Sequence, residues 1–210
     1  MLRRGLAPQG KFARCAALAL CAAGGPLVAH ALDHPKRLVL RIDNQRAQVE
    51  IDYQIAAGPP AQELRAAFDR DRDGTLDPGE QAKLLAHLGA QAALWTSLTV
   101  DGAPLRLARA GEARGENLDL PVSSTALLAV RMTLGAALPP GGGDWRGRRA
   151  MVLTDGAPDR TGHVPVQVVC AGCEIADASS GVFAHDPKGD QVLGAETSMA
   201  QPLVLKVRLP

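Results

Sequence analysis

Two stretches near the start of the chain alternate apolar and polar residues with a period of two: 37–43 (RLVLRID) and 47–55 (AQVEIDYQI). That period puts Val49, Ile51, Tyr53 and Ile55 on one face, as in a strand with one side buried. Asp43-Asn44-Gln45 between them is a turn signal, so the pair predicts an antiparallel hairpin. The period then changes to that of a helix. Over 60–68 (PAQELRAAF) Leu64 and Phe68 stand one turn apart, and over 79–95 Leu84, Leu85, Leu88, Ala92 and Trp95 share one face. Strand patterns resume afterwards. Leu98-Thr99-Val100 and Leu105-Arg106-Leu107 flank Asp101-Gly102, a hairpin signal. Residues 109–117 read as a loop, 125–134, 149–154, 163–170 and 203–209 as strands, and the Gly-, Asp- and Ser-rich 174–199 as mostly loop. The pattern predicts a mainly β fold with an α insertion: a β-sandwich-like domain carrying one helix-loop-helix, over 60–95, between its second and third strands.

The twelve residues joining the two helices, Asp69 to Glu80, read DRDRDGTLDPGE. Asp69, Asp71, Asp73, Thr75, Asp77 and Glu80 occupy positions 1, 3, 5, 7, 9 and 12, which is the ligand spacing of a calcium loop of the EF-hand type. The chemistry accounts for the spacing. Calcium is a hard cation that takes six to eight oxygen ligands, and short carboxylates on alternate residues let one loop wrap it. Gly74 at position 6 permits the sharp turn. Thr75 would offer its backbone carbonyl, Asp77 a direct or water-mediated contact, and Glu80 both carboxylate oxygens. Leu76 at position 8 is expected to anchor the loop to the core. Five carboxylates crowd the loop, and a divalent cation relieves their mutual repulsion. Arg70 and Arg72 at the solvent-facing positions offset part of that charge. A solvated acidic turn would explain the Asp residues and the Gly, but neither the apolar position 8 nor the Glu at position 12. A single loop of this kind is found, so its support must come from the neighbouring sheet rather than from a paired hand.

Composition and charge change the picture at the N-terminus. Residues 1–31 read as a secretory signal: Arg3, Arg4, Lys11 and Arg14 form a basic region, Ala16 to Val28 an apolar stretch, and Ala29-His30-Ala31 a small-x-small cleavage site. A membrane anchor and a lipidated Cys21 are the weaker alternatives. These residues hold four of the 23 basic residues and none of the 22 acidic ones, leaving 19 against 22 and a net charge of −3. A mildly acidic chain gives no reason to expect nucleic-acid binding. No second long apolar run follows, so residues 32–210 are expected to form a single soluble domain without a membrane span, periplasmic or secreted.

Of four cysteines, Cys170 and Cys173 remain beyond the signal, as Cys-Ala-Gly-Cys. In an oxidising compartment a disulfide is the first reading. A thiol–disulfide redox site and a soft-metal site with a histidine (His163 or His185) are the alternatives, while covalent haem is excluded because Glu174 stands where a His is required. An N-terminal Leu32-Asp33-His34 could chelate Cu(II) or Ni(II) if cleavage falls after Ala31, but adventitious or no binding there is the first reading. His87 is expected on the surface of the second helix. No G-x-S-x-G, Walker loop or H-E-x-x-H occurs, so no enzyme is predicted.

Residue by residue, Asp69–Glu80 matches the EF-hand family. The order of parts also resembles the extracytoplasmic N-terminal region of bacterial nickel/cobalt-transporter-like (NicO and HupE-like) proteins. It runs signal, His34-Pro35 start, two strands, one EF-hand-like loop, long helix, Val-Asp-Gly hairpin and further strands. That resemblance implies a soluble domain working beside a membrane transporter or another envelope protein, or alone. The expected function is calcium ion (Ca2+) binding in an exported structural or binding protein. The alternatives are an accessory to nickel/cobalt or other metal transport, and a calcium-stabilised enzyme.

Overall fold

The alternation of Leu38, Leu40 and Ile42 with exposed or half-exposed residues, and of Val49, Ile51, Tyr53 and Ile55 with theirs, is realised as β1 (Lys36–Ile42) and β2 (Arg46–Ile55). They pair antiparallel, with Leu40 opposite Val49. A computed structural model describes residues 36–43, 45–138, 148–155 and 163–209. The segment read as a signal, its expected cleavage site, His34 and the expected 139–143 loop lie outside these. Residues Ala31–Pro210 make one compact unit.

Two helices follow, α1 (Pro59–Phe68) and α2 (Pro78–Leu94). Each has proline in its first turn, where the missing N–H leaves no carbonyl unpaired. The remaining strands are β3 (Ser97–Val100), β4 (Ala103–Pro104), β5 (Ala108–Arg109), β6 (Arg114–Glu116), β7 (Leu128–Ala137), β8 (Arg148–Thr154), β9 (Val164–Cys170), β10 (Glu174–Ala178), β11 (Val182–His185), β12 (Gln191–Thr197) and β13 (Leu203–Arg208). They form two sheets. An eight-stranded sheet runs β11-β12-β9-β1-β2-β7-β5, with β6 also on β7, and a five-stranded sheet runs β10-β13-β8-β3-β4. All pairings are antiparallel except β1 with β9. Inward side chains of both sheets enter one hydrophobic cluster, Leu40 and Val168 from the larger and Leu153 and Leu205 from the smaller. The fold is therefore mainly β with an α insertion between the second and third strands, as the periodicity predicts.

Three expectations are corrected. Leu105-Arg106-Leu107 is not the second arm of the Asp101-Gly102 hairpin. That arm ends at Pro104, which has no N–H to extend the ladder, and after one bond from the Leu105 N–H to the Leu98 carbonyl the chain turns away. The 109–117 segment is not all loop, because Arg114–Glu116 pairs with β7. The 174–199 segment is not mostly loop: it holds β10, β11 and β12, and β12 lies inside the larger sheet, bonded to β9 and β11.

α2 packs its Leu84, Leu88 and Ala92 stripe against β7 and β2. At its C-terminal end the buried Lys36 ammonium donates to the Ala92 carbonyl and contacts both oxygens of the buried Asp155 carboxylate, at 2.8 and 2.7 Å, while the Thr96 hydroxyl donates to Asp155 Oδ2. Burial holds Lys36 below its ordinary pKa, and the Asp155 charge opposes that shift. A cation at the last carbonyls of a helix is favourable, so this buried cluster fixes one end of α2 to both sheets. The acidic loop fixes the other.

Candidate metal centre

Asp69 caps the C-terminal end of α1, its N–H donating to the Arg65 carbonyl. Asp77 caps the N-terminal end of α2, so the helix ends set the span of the loop between them. Within it, each early Asp folds onto a backbone N–H further along. Asp69 Oδ2 accepts from Gly74 at 3.1 Å, Asp71 Oδ1 from Asp73 at 3.3 Å, and Asp73 Oδ1 from Thr75 at 2.8 Å. These short-range bonds are the local preference of Asp side chains, and at alternate positions they curl the chain about a common centre. Gly74 sits at φ 87°, a left-handed conformation that a Cβ would strain. Leu76 is buried, as expected of position 8.

The curl brings one carboxylate oxygen from each of Asp69, Asp71 and Asp73 to within 4.8 Å of one another. Asp71 is held above the ordinary carboxylate pKa. The Asp73 N–H pulls it down, but desolvation, the Asp73 and Glu80 charges and the neighbouring Asp69 carboxyl push it up by more. Asp73 is held below it, chiefly by hydrogen bonds from the Thr75 hydroxyl and N–H. Among the described residues Asp69 Oδ1 is a buried oxygen with no hydrogen-bond partner. A buried, unpartnered oxygen on one of three clustered Asp residues fits a cation-binding position, because burying such an atom unpaired is costly.

The later positions are arranged differently. Asp77 and Glu80 form a reciprocal capping box: Asp77 Oδ1 accepts the Glu80 N–H at 2.8 Å and Glu80 Oε2 the Asp77 N–H at 3.1 Å. Glu80 is buried, and its other oxygen accepts the Arg70 N–H at 2.7 Å. Its carboxylate thus ties the first and last turns of the loop together and stands outside the group formed by the three Asp oxygens. The Thr75 hydroxyl donates to Asp73. Arg70 and Arg72 are exposed, and His87 is exposed and packs against Phe68 with ring centres 5.4 Å apart and planes tilted by 51°.

The periodicity of α1 hides one residue that the site depends on. Arg65 lies one turn after the buried Ala61 and is itself fully buried. Its guanidinium donates to the carbonyls of Asn117, Ser124 and Ala126. The Gly58 N–H donates to Thr125 and the Gln62 amide to Ser123. The same segment reaches the loop directly, since the Val122 N–H donates to the Gly74 carbonyl at 2.9 Å. Residues 117–126 are therefore a strap tied to α1 and to the glycine of the acidic loop. An arginine within an apolar helical stripe was the available signal.

Cys170 and Cys173 form a disulfide. His163 is not near it, because His163 precedes β9 and Cys170 ends it. His185 is near it, lining the same polar hollow as both cysteines. Among the described residues no helix is long and apolar enough to cross a membrane. No protein-family model and no curated protein matches the chain.

Proposed function

We propose that Asp69–Glu80 binds one calcium ion, and that the ion braces the α1–α2 pair and the 117–126 strap against the sheet of an exported protein. The observation that carries this reading is the convergence of one carboxylate oxygen from each of Asp69, Asp71 and Asp73, in a loop where Asp69 also holds a buried, unpartnered oxygen. Thr75, through its carbonyl, Asp77 and Glu80 complete the ligand set, with Glu80 turning from its backbone contacts toward the ion. Hard oxygen donors alone in the loop favour calcium over softer cations. Its job is structural: the loop is anchored on three sides, by Leu76, by Glu80 and by the strap. An exported protein meets ambient calcium, for which affinities of about 10⁻⁴–10⁻³ M suffice.

The metal-transport reading gains His185 beside the Cys pair but not His163, which lies at the opposite end of β9. The test is calorimetric titration of the protein with calcium, magnesium, nickel and zinc, repeated on Asp71→Asn. Asp71 is exposed, so the variant folds without help from the metal, whereas Glu80→Gln would also disturb the capping box. We expect one calcium per chain, and a loss of at least about tenfold in affinity for Asp71→Asn, as for removal of one charged ligand. No calcium uptake, or full-strength uptake by the variant, overturns the proposal.

A further inference from the structure

The second feature with unused chemistry lies at the other end of the larger sheet. Cys170 is the last residue of β9 and stands opposite Gln191 of β12, which in turn stands opposite His185 of β11. Residues opposite one another in a ladder project to the same face, so Cys170, Gln191 and His185 form one row across three strands. The turn after β9 returns Cys173 to the same place, and Glu174 and Asp190 complete the rim of a hollow of about 390 Å³. Gln191 does not compete for this space, because its amide is committed to the N–H and carbonyl of Ile175. Both cysteines, His185 and Asp190 thus line one polar hollow, brought together from four separate strands or turns, while the Glu174 carboxylate is paired with Arg208 at 2.7 Å.

We propose that this hollow is a redox-gated site for a thiophilic divalent cation of the zinc class. Cys170 and Cys173 supply thiolates, His185 an imidazole, and Asp190 the fourth ligand, Glu174 being held by Arg208. Two sulfurs separated by two residues, with one nitrogen and one oxygen, make a tetrahedral set that zinc accepts. With the disulfide closed neither sulfur carries charge and the ligand atoms are not gathered, so the oxidised protein does not bind. Opening it takes an external dithiol. The Cys170–Cys173 bond accepts two electrons and two protons, and the dithiol becomes a disulfide. The cation then displaces the two thiol protons. His185 is exposed and swings onto the opened pair from the end of β11. This site is independent of the acidic loop and of the calcium reading.

Cobalt(II) added to the full chain is the probe, because thiolate ligation gives it a charge-transfer absorption that oxygen ligation in the acidic loop does not. We expect one cobalt with that absorption in protein reduced by a phosphine, its displacement by zinc, and no such absorption in oxidised protein. Cys173→Ser abolishes the band. His185→Ala keeps the fold, as judged by circular dichroism, and weakens zinc by at least about tenfold. Reduced, folded protein that shows no thiolate band overturns the proposal, as does His185→Ala binding zinc as tightly as the unaltered chain.

Discussion

Asp43 and Asp101 do similar work at two different turns. Asp43 accepts the N–H groups of Gln45 and Arg46 and the Arg46 guanidinium, at 2.8–3.0 Å. Asp101, in a left-handed conformation at φ 49°, accepts the Ala150 N–H and the Arg149 guanidinium. In both, desolvation pushes the carboxyl pKa up, but these donors outweigh it and hold the group below its ordinary value. A carboxyl whose folded pKa lies below its unfolded one stabilises the fold above the unfolded value and loses that contribution as pH falls through the folded value. Asp43→Ala should therefore cost about 1 kcal/mol at pH 7, a modest figure because the site is partly solvated, and clearly less at pH 3. Urea denaturation at the two pH values measures this. An equal cost at both would mean that the ionised carboxylate is not what holds the turn.

At the scale of elements, α2 is positioned by close approach as much as by its apolar stripe. Gly115 of β6 lies where an added Cβ would stand 2.2 Å from Leu118 Cδ1 and 3.3 Å from Leu85 Cδ1. Leu118 is buried, so it has little room to yield. Gly115→Ala should destabilise by about 1–3 kcal/mol through overpacking, seen as a lower denaturation midpoint with an unchanged slope. Such contacts also mark what could be read beforehand. β1, β2, β8, β9 and β13 were legible to within about two residues because each has one buried face and therefore a period of two. β11 has none: all four of its residues are exposed, and it is a strand only because β12 lies beside it. Ser179-Ser180-Gly181 and the 186–190 stretch are turns between strands, and their residues masked the strands they join. The acidic loop was legible because its ligand spacing is local. The strap held by Arg65 and the placing of His185 beside the cysteines were not, since both depend on pairings between distant parts of the chain.

At the scale of the molecule, α2 is held at two ends by different means. The Lys36–Asp155 pair at its C-terminal end is permanent, and removing one partner would leave a buried charge uncompensated. The acidic loop at the other end is conditional on the proposed ion, and it communicates with the sheet through one backbone bond, Val122 N–H to the Gly74 carbonyl. From Val122 the strap runs through Ser124 and Ala126, both held by Arg65, into β7. A cation that binds the folded state alone stabilises it by about 2.7 kcal/mol at a hundredfold excess over its dissociation constant. For a chain of this size each kcal/mol raises the melting temperature by about 2–4 °C, so calcium should raise it by about 5–10 °C, and Asp71→Asn should remove the rise. Amide exchange locates the effect. Calcium should slow exchange at Gly74, Thr75 and Val122, because fixing the Gly74 carbonyl fixes the donor bound to it. Exchange along β11 should be unchanged, because that edge is separated from the loop by the whole width of the larger sheet. Uniform protection at both places would mean that the ion acts only by global stabilisation, and that the strap carries no local coupling.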